Sequence, residues 1–267
     1  MMVGVDREPA TLLFYCNICG KLSLTDVRRL DRETPTCQAC HSNARVRAVI
    51  QVLSTELFHE NLLLPDFPTR REIHGLGMTD WEGYAVKLAE KFAYQNTYYH
   101  EEPRLDIATA NIASEFMGKD FIISSDVFEH VVPPVSRAFE NVWKMLKPGG
   151  VFVLTVPYGA QRETVEHFPE LNEFSIVESD GSFVLRNKTR TGVVQEFNDL
   201  VFHGGPGATL EIRVFSENAL VQHLKDAGFV DIKVHRAADL VHGIWWPQPW
   251  SLPLSARRPE VRGEPLP

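Results

Sequence analysis

Residues 120–131, DFIISSDVFEHV, and residues 146–157, LKPGGVFVLTVP, decide the fold of this 267-residue chain. Each contains a run of apolar residues that is typical of a strand buried on both faces. Pro133-Pro134 opens the segment between them, and the apolar residues of 135–146 recur at helical spacing. A strand, a helix and another strand in this order predict a parallel sheet covered by helices.

The same alternation starts upstream, near Arg70. Residues 71–74, REIH, are expected to form a strand that leads into residues 75–80, GLGMTD, and a helix is expected over about residues 84–92. Two glycines at a strand-to-helix turn let a ligand approach the backbone beside the positive end of a helix. A plain tight turn has the same pattern, because Thr79 or Trp81 replaces the usual third glycine.

Together these segments resemble the class I S-adenosylmethionine-dependent methyltransferases, in the branch called type 11. SDVFEHV followed by LKPGGVFVLTVP is similar to that family's fourth strand, fifth helix and fifth strand. Residues 215–229 and 250–258 are similar to its last helix and closing antiparallel strand. The resemblance implies an α/β fold with a doubly wound, seven-stranded Rossmann-like sheet over residues 70–258, and an insertion after strand five at residues 158–212.

The resemblance also implies where S-adenosylmethionine binds, at the carboxyl ends of the strands. Its implied contacts are Gly75, Gly77, Asn96, Asp106, Ile107, Ser125 and Asp126. The glycines would lie against the methionine part of the cofactor, and Asp106 would bind the adenine amino group. Where the family usually has an acidic residue for the ribose hydroxyls, Asn96 or Thr97 would make neutral hydrogen bonds instead.

Candidate catalytic residues follow the fourth strand and enter from the insertion. Glu129 and His130 come directly after that strand, and His130 is the leading candidate for a proton acceptor or a substrate contact. Packing beside the cofactor is the alternative role of His130. We expect residues 158–212 to cap the acceptor site, with Tyr158 and His203 lining it, and simple turn-forming roles are the alternative.

A metal ion beside the acceptor is a second possibility at this position. Asp126, Glu129 and His130 resemble the acidic-acidic-His metal site of some quinone-pathway O-methyltransferases. Two carboxylates and an imidazole suit a magnesium or similar ion. Similar EHV strings, however, are common among methyltransferases without a metal.

The four cysteines of the chain predict a separate metal site. Cys16, Cys19, Cys37 and Cys40 have the C-x2-C, seventeen residues, C-x2-C spacing of a zinc ribbon. Two disulfides are the alternative, which is typical of secreted proteins. Four sulfur ligands close the coordination sphere, so the zinc is predicted to be structural, and its removal is expected to unfold residues 14–42 first.

The predicted organisation is a zinc-ribbon module at 1–42, a linking helix at 43–69, the methyltransferase domain at 70–258 and a flexible tail at 259–267. Ser42 is the expected N-cap of the linking helix. Arg45 and Arg47 either bind an anionic ligand or pair with acidic neighbours to hold the ribbon to the next domain.

The amino-acid composition restricts the classes of partner that the protein is expected to bind. Lys and Arg number 27 against 35 Asp and Glu, a net charge of -8, which argues against nucleic acid as a partner. No membrane span or secretion signal is recognised, so a cytoplasmic location and no membrane partner are expected. The sequence leaves the oligomeric state open.

The expected function is methyl transfer from S-adenosylmethionine to a small-molecule or sugar/glycan acceptor by direct displacement. The sugar acceptor is an analogy to glycan-associated methyltransferases that carry a CxxC ribbon and an R-x-R-A helix, here Arg45 to Ala48. The alternative is a non-catalytic protein of the same fold whose zinc ribbon binds a partner or nucleic acid. The incomplete glycine turn and the missing ribose carboxylate favour that alternative.

Overall fold

The computed structural model describes residues 10–179, 181–205 and 207–260. It begins with a hairpin, β1 (Thr11–Tyr15) and β2 (Leu22–Asp26), followed by helix α1 (Ala44–Phe58). The N-cap of α1 is Asn43, whose side chain accepts a hydrogen bond from the Val46 amide (3.0 Å). Ser42, the predicted cap, instead accepts a hydrogen bond at its carbonyl from Arg47 (2.6 Å).

The central part of the chain alternates strands and helices as predicted. Its elements are β3 (Arg70–Met78), α2 (Glu82–Lys91), β4 (Phe92–Thr97), β5 (Lys119–Ser125), α3 (Ser136–Met145) and β6 (Leu146–Thr155). Short 3₁₀ helices lie at Val27–Arg29, Leu64–Asp66, Ser114–Phe116, Phe128–His130 and Leu240–His242.

Short strands follow β6. They are β7 (Tyr158–Gly159), β8 (Val165–Glu166), β9 (Glu173–Ser179), β10 (Ser182–Lys188), β11 (Val194–Phe197), β12 (Phe202–His203), β13 (Thr209–Leu210) and β14 (Arg213–Ser216). The chain then forms α4 (Glu217–Asp226), β15 (Val230–Val234) and β16 (Leu254–Arg257). Strands β9, β10 and β11 form an antiparallel sheet of their own.

The main sheet has the strand order β15-β16-β6-β5-β3-β4. Strands β4, β3, β5 and β6 run parallel, whereas β16 is antiparallel to both of its neighbours. The four parallel strands end at one edge, which is where a doubly wound sheet binds its ligand. The Rossmann-like architecture predicted from the sequence is confirmed.

Two hydrophobic clusters cover the two faces of this sheet. Ile122 and Phe152 pack in one cluster with α3 and α4, and Phe121 and Val151 pack in the other with α1 and α2. Successive residues of β5 and β6 alternate between the clusters because strand side chains point to opposite faces in turn. Phe14 of the N-terminal hairpin belongs to the second cluster, so the hairpin shares a core with the sheet.

A seventh strand does not form in the described part of the chain. Between β4 and β5, residues 98–118 contribute one isolated bridge, from Tyr98 to Arg104. Pro103 has no N–H to pair. Asp106 then accepts a hydrogen bond from the Ala108 amide (2.8 Å), and such a side-chain contact competes with strand pairing.

Within residues 10–179, 181–205 and 207–260, none of the helices has the length and apolar character needed to cross a bilayer. Of the predicted tail, residues 261–267 lie outside the described residues.

Candidate active site and cysteine cluster

The four cysteines converge on one point beside the N-terminal hairpin. The Sγ atoms of Cys16 and Cys40 are 3.6 Å apart, and those of Cys19 and Cys37 are 3.7 Å apart. All four are free thiols within 4.8 Å of one another. A disulfide needs a separation of about 2.05 Å, whereas thiolates about 2.3 Å from a tetrahedral zinc ion lie about 3.8 Å apart. The donor set and its spacing therefore fit one tetrahedral ion.

Two arginines from the N-terminal part of the chain reach the end of β5. Arg32 donates hydrogen bonds to both carboxylate oxygens of Asp126, at 2.9 and 2.5 Å. Arg45 donates to the Ser125 hydroxyl (2.5 Å), and its Nε is 3.2 Å from Asp126. Glu33 pairs with both arginines. Of the two roles considered for Arg45, pairing with acidic neighbours is the one observed.

Arg47 has a different environment. It is fully buried and donates hydrogen bonds to Thr36 Oγ1 (2.8 Å) and to the Gly243 carbonyl (2.7 Å), besides its bond to Ser42. Arg47 therefore joins Thr36 and Ser42, at the end of the ribbon, to the loop that contains Gly243.

Asp126 is held as a carboxylate. Burial opposes its charge, but Arg32 and Arg45 outweigh burial and lower the pKa of Asp126. Among the described residues, Glu129 and His130 share ligand spacing with His203 and not with Asp126, which pairs with Arg32, so the metal-binding triplet of Asp126, Glu129 and His130 is not assembled.

Left-handed backbone occurs at the ends of two adjacent strands. Thr79, directly after β3, has φ 55°, and Asp126, directly after β5, has φ 57°. Non-glycine residues adopt this conformation rarely, and such positions concentrate at functional sites. Both lie at the edge where the cofactor is predicted to bind.

The strand-to-helix turn predicted for Gly75 and Gly77 is wrong, because both glycines lie within β3, where they are packed against side chains. A Cβ at Gly75 would be 2.1 Å from Phe121 Cζ, and a Cβ at Gly77 would be 2.0 Å from the Tyr94 hydroxyl oxygen. Glycine is therefore required at both positions by neighbours within the protein. Their contact with the methionine part of a cofactor stays a prediction.

Asp80 forms a buried polar group with Tyr94 and Asn96. The Tyr94 hydroxyl donates to Asp80 Oδ2 (2.6 Å), and Asn96 exchanges two hydrogen bonds with the Asp80 backbone, both 2.9 Å. Asp80 Oδ1 is buried and has no hydrogen-bond partner among the described residues. Burial raises the pKa of Asp80 to about 7.

Asp106 and Ile107 lie in the turn that replaces the seventh strand. Ile107 is buried, and its carbonyl accepts a hydrogen bond from the Asn141 side chain of α3 (2.9 Å). The turn is thereby joined to the helix that follows β5. Recognition of adenine by Asp106 stays a prediction.

Glu129, His130 and His203 form a compact cluster beyond the end of β5. Glu129 Oε1 is 3.6 Å from His130 Nε2 and 3.6 Å from His203 Nδ1. The two imidazole rings meet edge to face, with centroids 4.7 Å apart. Glu129 is 0% exposed, and within the described residues neither of its carboxylate oxygens has a hydrogen-bond partner. The structure thus brings together three of the four predicted catalytic residues.

The far nitrogen of each imidazole in this cluster is held by a hydrogen-bond acceptor. His130 Nδ1 lies 2.7 Å from the Leu210 carbonyl, and His203 Nε2 lies 2.9 Å from Glu211 Oε2. The other oxygen of Glu211 is 3.0 Å from His167 Nε2. In the neutral rings, therefore, the lone pairs of His130 Nε2 and His203 Nδ1 face Glu129.

Neighbouring charges and burial shift the pKa values of Glu129 and His203. Burial raises the pKa of Glu129. The Glu129 carboxylate raises the pKa of His203, and Glu211 raises it further. Burial of His203 acts in the opposite direction.

Tyr158, the fourth predicted catalytic residue, has another partner. It is buried, its hydroxyl donates to Glu217 Oε2 (3.0 Å), and burial raises the pKa of Tyr158 above its ordinary value. The structure joins Tyr158 to α4 rather than to Glu129. Its role in lining the acceptor site stays a prediction.

Four contributors to the site were not predicted from the sequence: Arg32, Asp80, Glu211 and Arg213. Arg213 is fully buried and donates hydrogen bonds to the carbonyls of Phe128 (3.0 Å) and Val131 (2.6 Å), which clamps the turn that carries Glu129. A signal for two of them exists, because Glu211 and Arg213 alternate with apolar residues in LEIRV and so share one side of an extended segment.

Comparison with known families identifies part of this region. Residues 78–154, less than half of the chain, match the type 11 family model described as a methyltransferase domain. The match extends from the end of β3 nearly to the end of β6, so it contains the parallel-strand edge described above. It confirms the enzyme class predicted from the sequence, an S-adenosylmethionine-dependent methyltransferase. No curated protein matches the chain.

Several solved structures are similar to this chain at low identity. An S-adenosylmethionine-dependent methyltransferase from Clostridium acetobutylicum is 13% identical, with 77% of this chain and 95% of that chain covered and a TM-score of 0.39. The sugar N-methyltransferase KedS8 from Streptoalloteichus is 13% identical, with 81% and 87% covered and a TM-score of 0.45. The 1,6-didemethyltoxoflavin-N1-methyltransferase from Burkholderia thailandensis is 15% identical, with 80% and 79% covered and a TM-score of 0.39. These values assign no acceptor to this chain.

Proposed function

We propose that this protein transfers a methyl group from S-adenosylmethionine to a small-molecule or sugar/glycan acceptor, and that a structural zinc ion holds its N-terminal ribbon. The observation that carries the proposal is the match over residues 78–154 to a methyltransferase domain, at the edge where four parallel strands end. The acceptor class rests on the resemblance of the ribbon and the following helix to glycan-associated enzymes.

The residues at this edge fit a polar cofactor. Ser124 Oγ is buried there without a hydrogen-bond partner among the described residues, and buried polar atoms of this kind usually have a ligand or water. Asn96 and Asp106 would hold the ribose and the adenine, and Ser125 with Asp126 would lie near the sulfonium. The bound cofactor supplies the electrophilic methyl group.

The protein's part in the reaction is mainly positioning. Alignment of the acceptor with the methyl group contributes up to about 7–11 kcal/mol in favourable cases. We place the acceptor's reactive group beside Glu129, His130 and His203, since these groups are able to take up its proton.

The cysteine site fits zinc on its donor chemistry. Four free thiols at 3.6 and 3.7 Å have the separation of ligands in a closed tetrahedral sphere. Such a site stabilises the fold and leaves no coordination position for a substrate.

Calorimetric titration with S-adenosylmethionine and S-adenosylhomocysteine tests the cofactor proposal. We expect saturable binding to wild-type protein and at least tenfold weaker binding to Asp106→Ala, because the adenine contact is removed. Asp199→Ala, at an exposed position in the loop before β12, is the matched control and should bind like wild type. Absence of binding to folded, zinc-loaded protein would reject the enzyme and favour the non-catalytic alternative.

A further inference from the structure

We propose that Glu129, His130 and His203 bind a divalent first-row transition-metal ion, at a second metal site separate from the four cysteines. His203 belongs to the segment after β6, so neither the spacing of EHV nor the matched family segment contains the complete ligand set. The fold places His203 beside Glu129 and His130.

The distances within the cluster are those of ligands that share an ion. At 3.6 Å, the contacts from Glu129 Oε1 to the two imidazole nitrogens are too long for hydrogen bonds. Two ligand atoms that each lie about 2.1 Å from a tetrahedral ion are about 3.4 Å apart. Both contacts are therefore close to the separation of two ligands on one ion, and all three ligand atoms lie within 4.8 Å of one another.

The carboxylate of Glu129 provides a second, independent observation. It is 0% exposed, and neither of its oxygens has a hydrogen-bond partner among residues 10–179, 181–205 and 207–260. Its nearest polar groups are the two imidazole nitrogens at 3.6 Å, and burial of a carboxylate that accepts no hydrogen bond is unfavourable. A divalent ion bound by the lone pairs of His130 and His203 would also bind the Glu129 carboxylate and compensate its charge.

The surroundings of the imidazoles are also those of metal-bound histidines. Such histidines usually donate their other N–H to a carboxylate or a backbone carbonyl, which sets the tautomer and the ring orientation. Both kinds of partner occur here, since His130 contacts the Leu210 carbonyl and His203 contacts Glu211.

The donor set indicates the class of ion. Two imidazoles and one carboxylate suit Zn²⁺, Fe²⁺ or a similar transition metal, whereas Mg²⁺ and Ca²⁺ prefer oxygen ligands. Three protein ligands leave a coordination position open, unlike the cysteine site. With the ion bound, the lone pairs of His130 and His203 are occupied, so the ion would activate an acceptor oxygen at this position in place of proton uptake by the imidazoles. That role rests on the proposed function, but binding of the ion does not.

Cobalt titration of the metal-free full-length protein separates the two sites by their spectra. We expect two Co²⁺ ions per chain, one with strong thiolate-to-metal charge-transfer absorption and one with only the weak visible bands of nitrogen and oxygen ligands. His203→Ala should keep the first ion and lose the second. Glu211→Gln, which weakens the partner of His203, should lower the affinity of the second ion about 10- to 100-fold.

His100→Ala is the control for unspecific binding, because His100 is exposed and lies outside the cluster. It should bind two ions like wild type. His203 is partly exposed, so its replacement is a mild change, and retention of the thiolate-bound ion reports that the variant is folded. The proposal is overturned if wild type shows only thiolate-bound cobalt, or if His203→Ala and Glu129→Gln both retain the second ion. Cofactor calorimetry on the same samples tests the methyltransferase proposal separately.

Discussion

At the level of single residues, the buried carboxyl of Asp80 is expected to make folding less favourable as the pH rises. Its pKa is about 7 in the folded protein, against about 3.9 in an unfolded chain. The folded state therefore binds the proton more tightly. This contribution to stability is complete below about pH 4 and is lost as the pH rises through 7.

Asp80→Asn should remove this pH dependence, since an amide oxygen can still accept the Tyr94 hydrogen bond. Each pKa unit corresponds to about 1.4 kcal/mol. As the pH rises from 4 to 8, the free energy of unfolding of Asp80→Asn should therefore increase by a few kcal/mol relative to that of wild type. Urea denaturation at a series of pH values measures the difference. Asp66→Asn, at an exposed position, is the control and should show no such trend. A difference between Asp80→Asn and wild type that is constant over this pH range would contradict the assignment.

The candidate site also shows which residues sequence patterns are able to predict. Glu129 and His130 follow a buried apolar run, and a position just after a parallel strand already indicates the ligand-binding edge. The convergence of His203 on Glu129 joins residues far apart in the chain, and no local periodicity encodes it. The pairing of Arg32 with Asp126 is likewise non-local, which explains why Arg32 was not predicted.

At the level of elements, Arg213 joins β14 to the turn that carries Glu129. Its guanidinium contacts the Phe128 and Val131 carbonyls and pairs with Glu166 at 2.7 Å. The Glu166 side chain is 31% exposed, so Arg213→Leu acts mainly by leaving the two buried carbonyls without a donor, and an unsatisfied buried hydrogen-bonding group typically costs about 1–3 kcal/mol. We expect a decrease in the free energy of unfolding of this size, measured by chemical denaturation.

Arg186→Leu is the matched control for this variant. The Arg186 and Glu196 side chains are 60% and 53% exposed, and such surface pairs contribute about 0–1 kcal/mol. Equal losses of stability in the two variants would show that the buried contacts of Arg213 do not hold the turn.

The elements differ in how well the sequence predicts them. β5, α3 and β6 were predicted because FII and VFVL are uninterrupted apolar runs on either side of a strongly periodic helix. The seventh strand was expected from the family resemblance alone. The segment around Pro103 and Asp106 lacks a comparable apolar run, and local turn hydrogen bonds replace strand pairing there.

At the level of the whole molecule, the cysteine ribbon is part of the main core rather than an appendage to it. Phe14 and Ile18 pack in the same cluster as Leu53 of α1 and Phe121 of β5. Arg32 adds a polar connection from the ribbon to Asp126. The expectation from the sequence that zinc loss unfolds residues 14–42 first treats the ribbon as independent, and the shared core leads to a different expectation.

Removal of the zinc ion proposed for the ribbon should therefore destabilise the entire protein in one cooperative transition. Structural zinc contributes on the order of 10 kcal/mol in small zinc-binding peptides, and 1 kcal/mol corresponds to about 2–4 °C in the Tm of a domain of roughly 150–250 residues. Cys19→Ser, at a partly exposed ligand, should thus lower the Tm by more than about 10 °C in scanning calorimetry. His203→Ala, measured in parallel, separates this effect from loss of the second ion. An early, separate transition in Cys19→Ser, with the main transition unmoved, would show that the ribbon unfolds alone and that its packing against α1 does not couple it to the sheet.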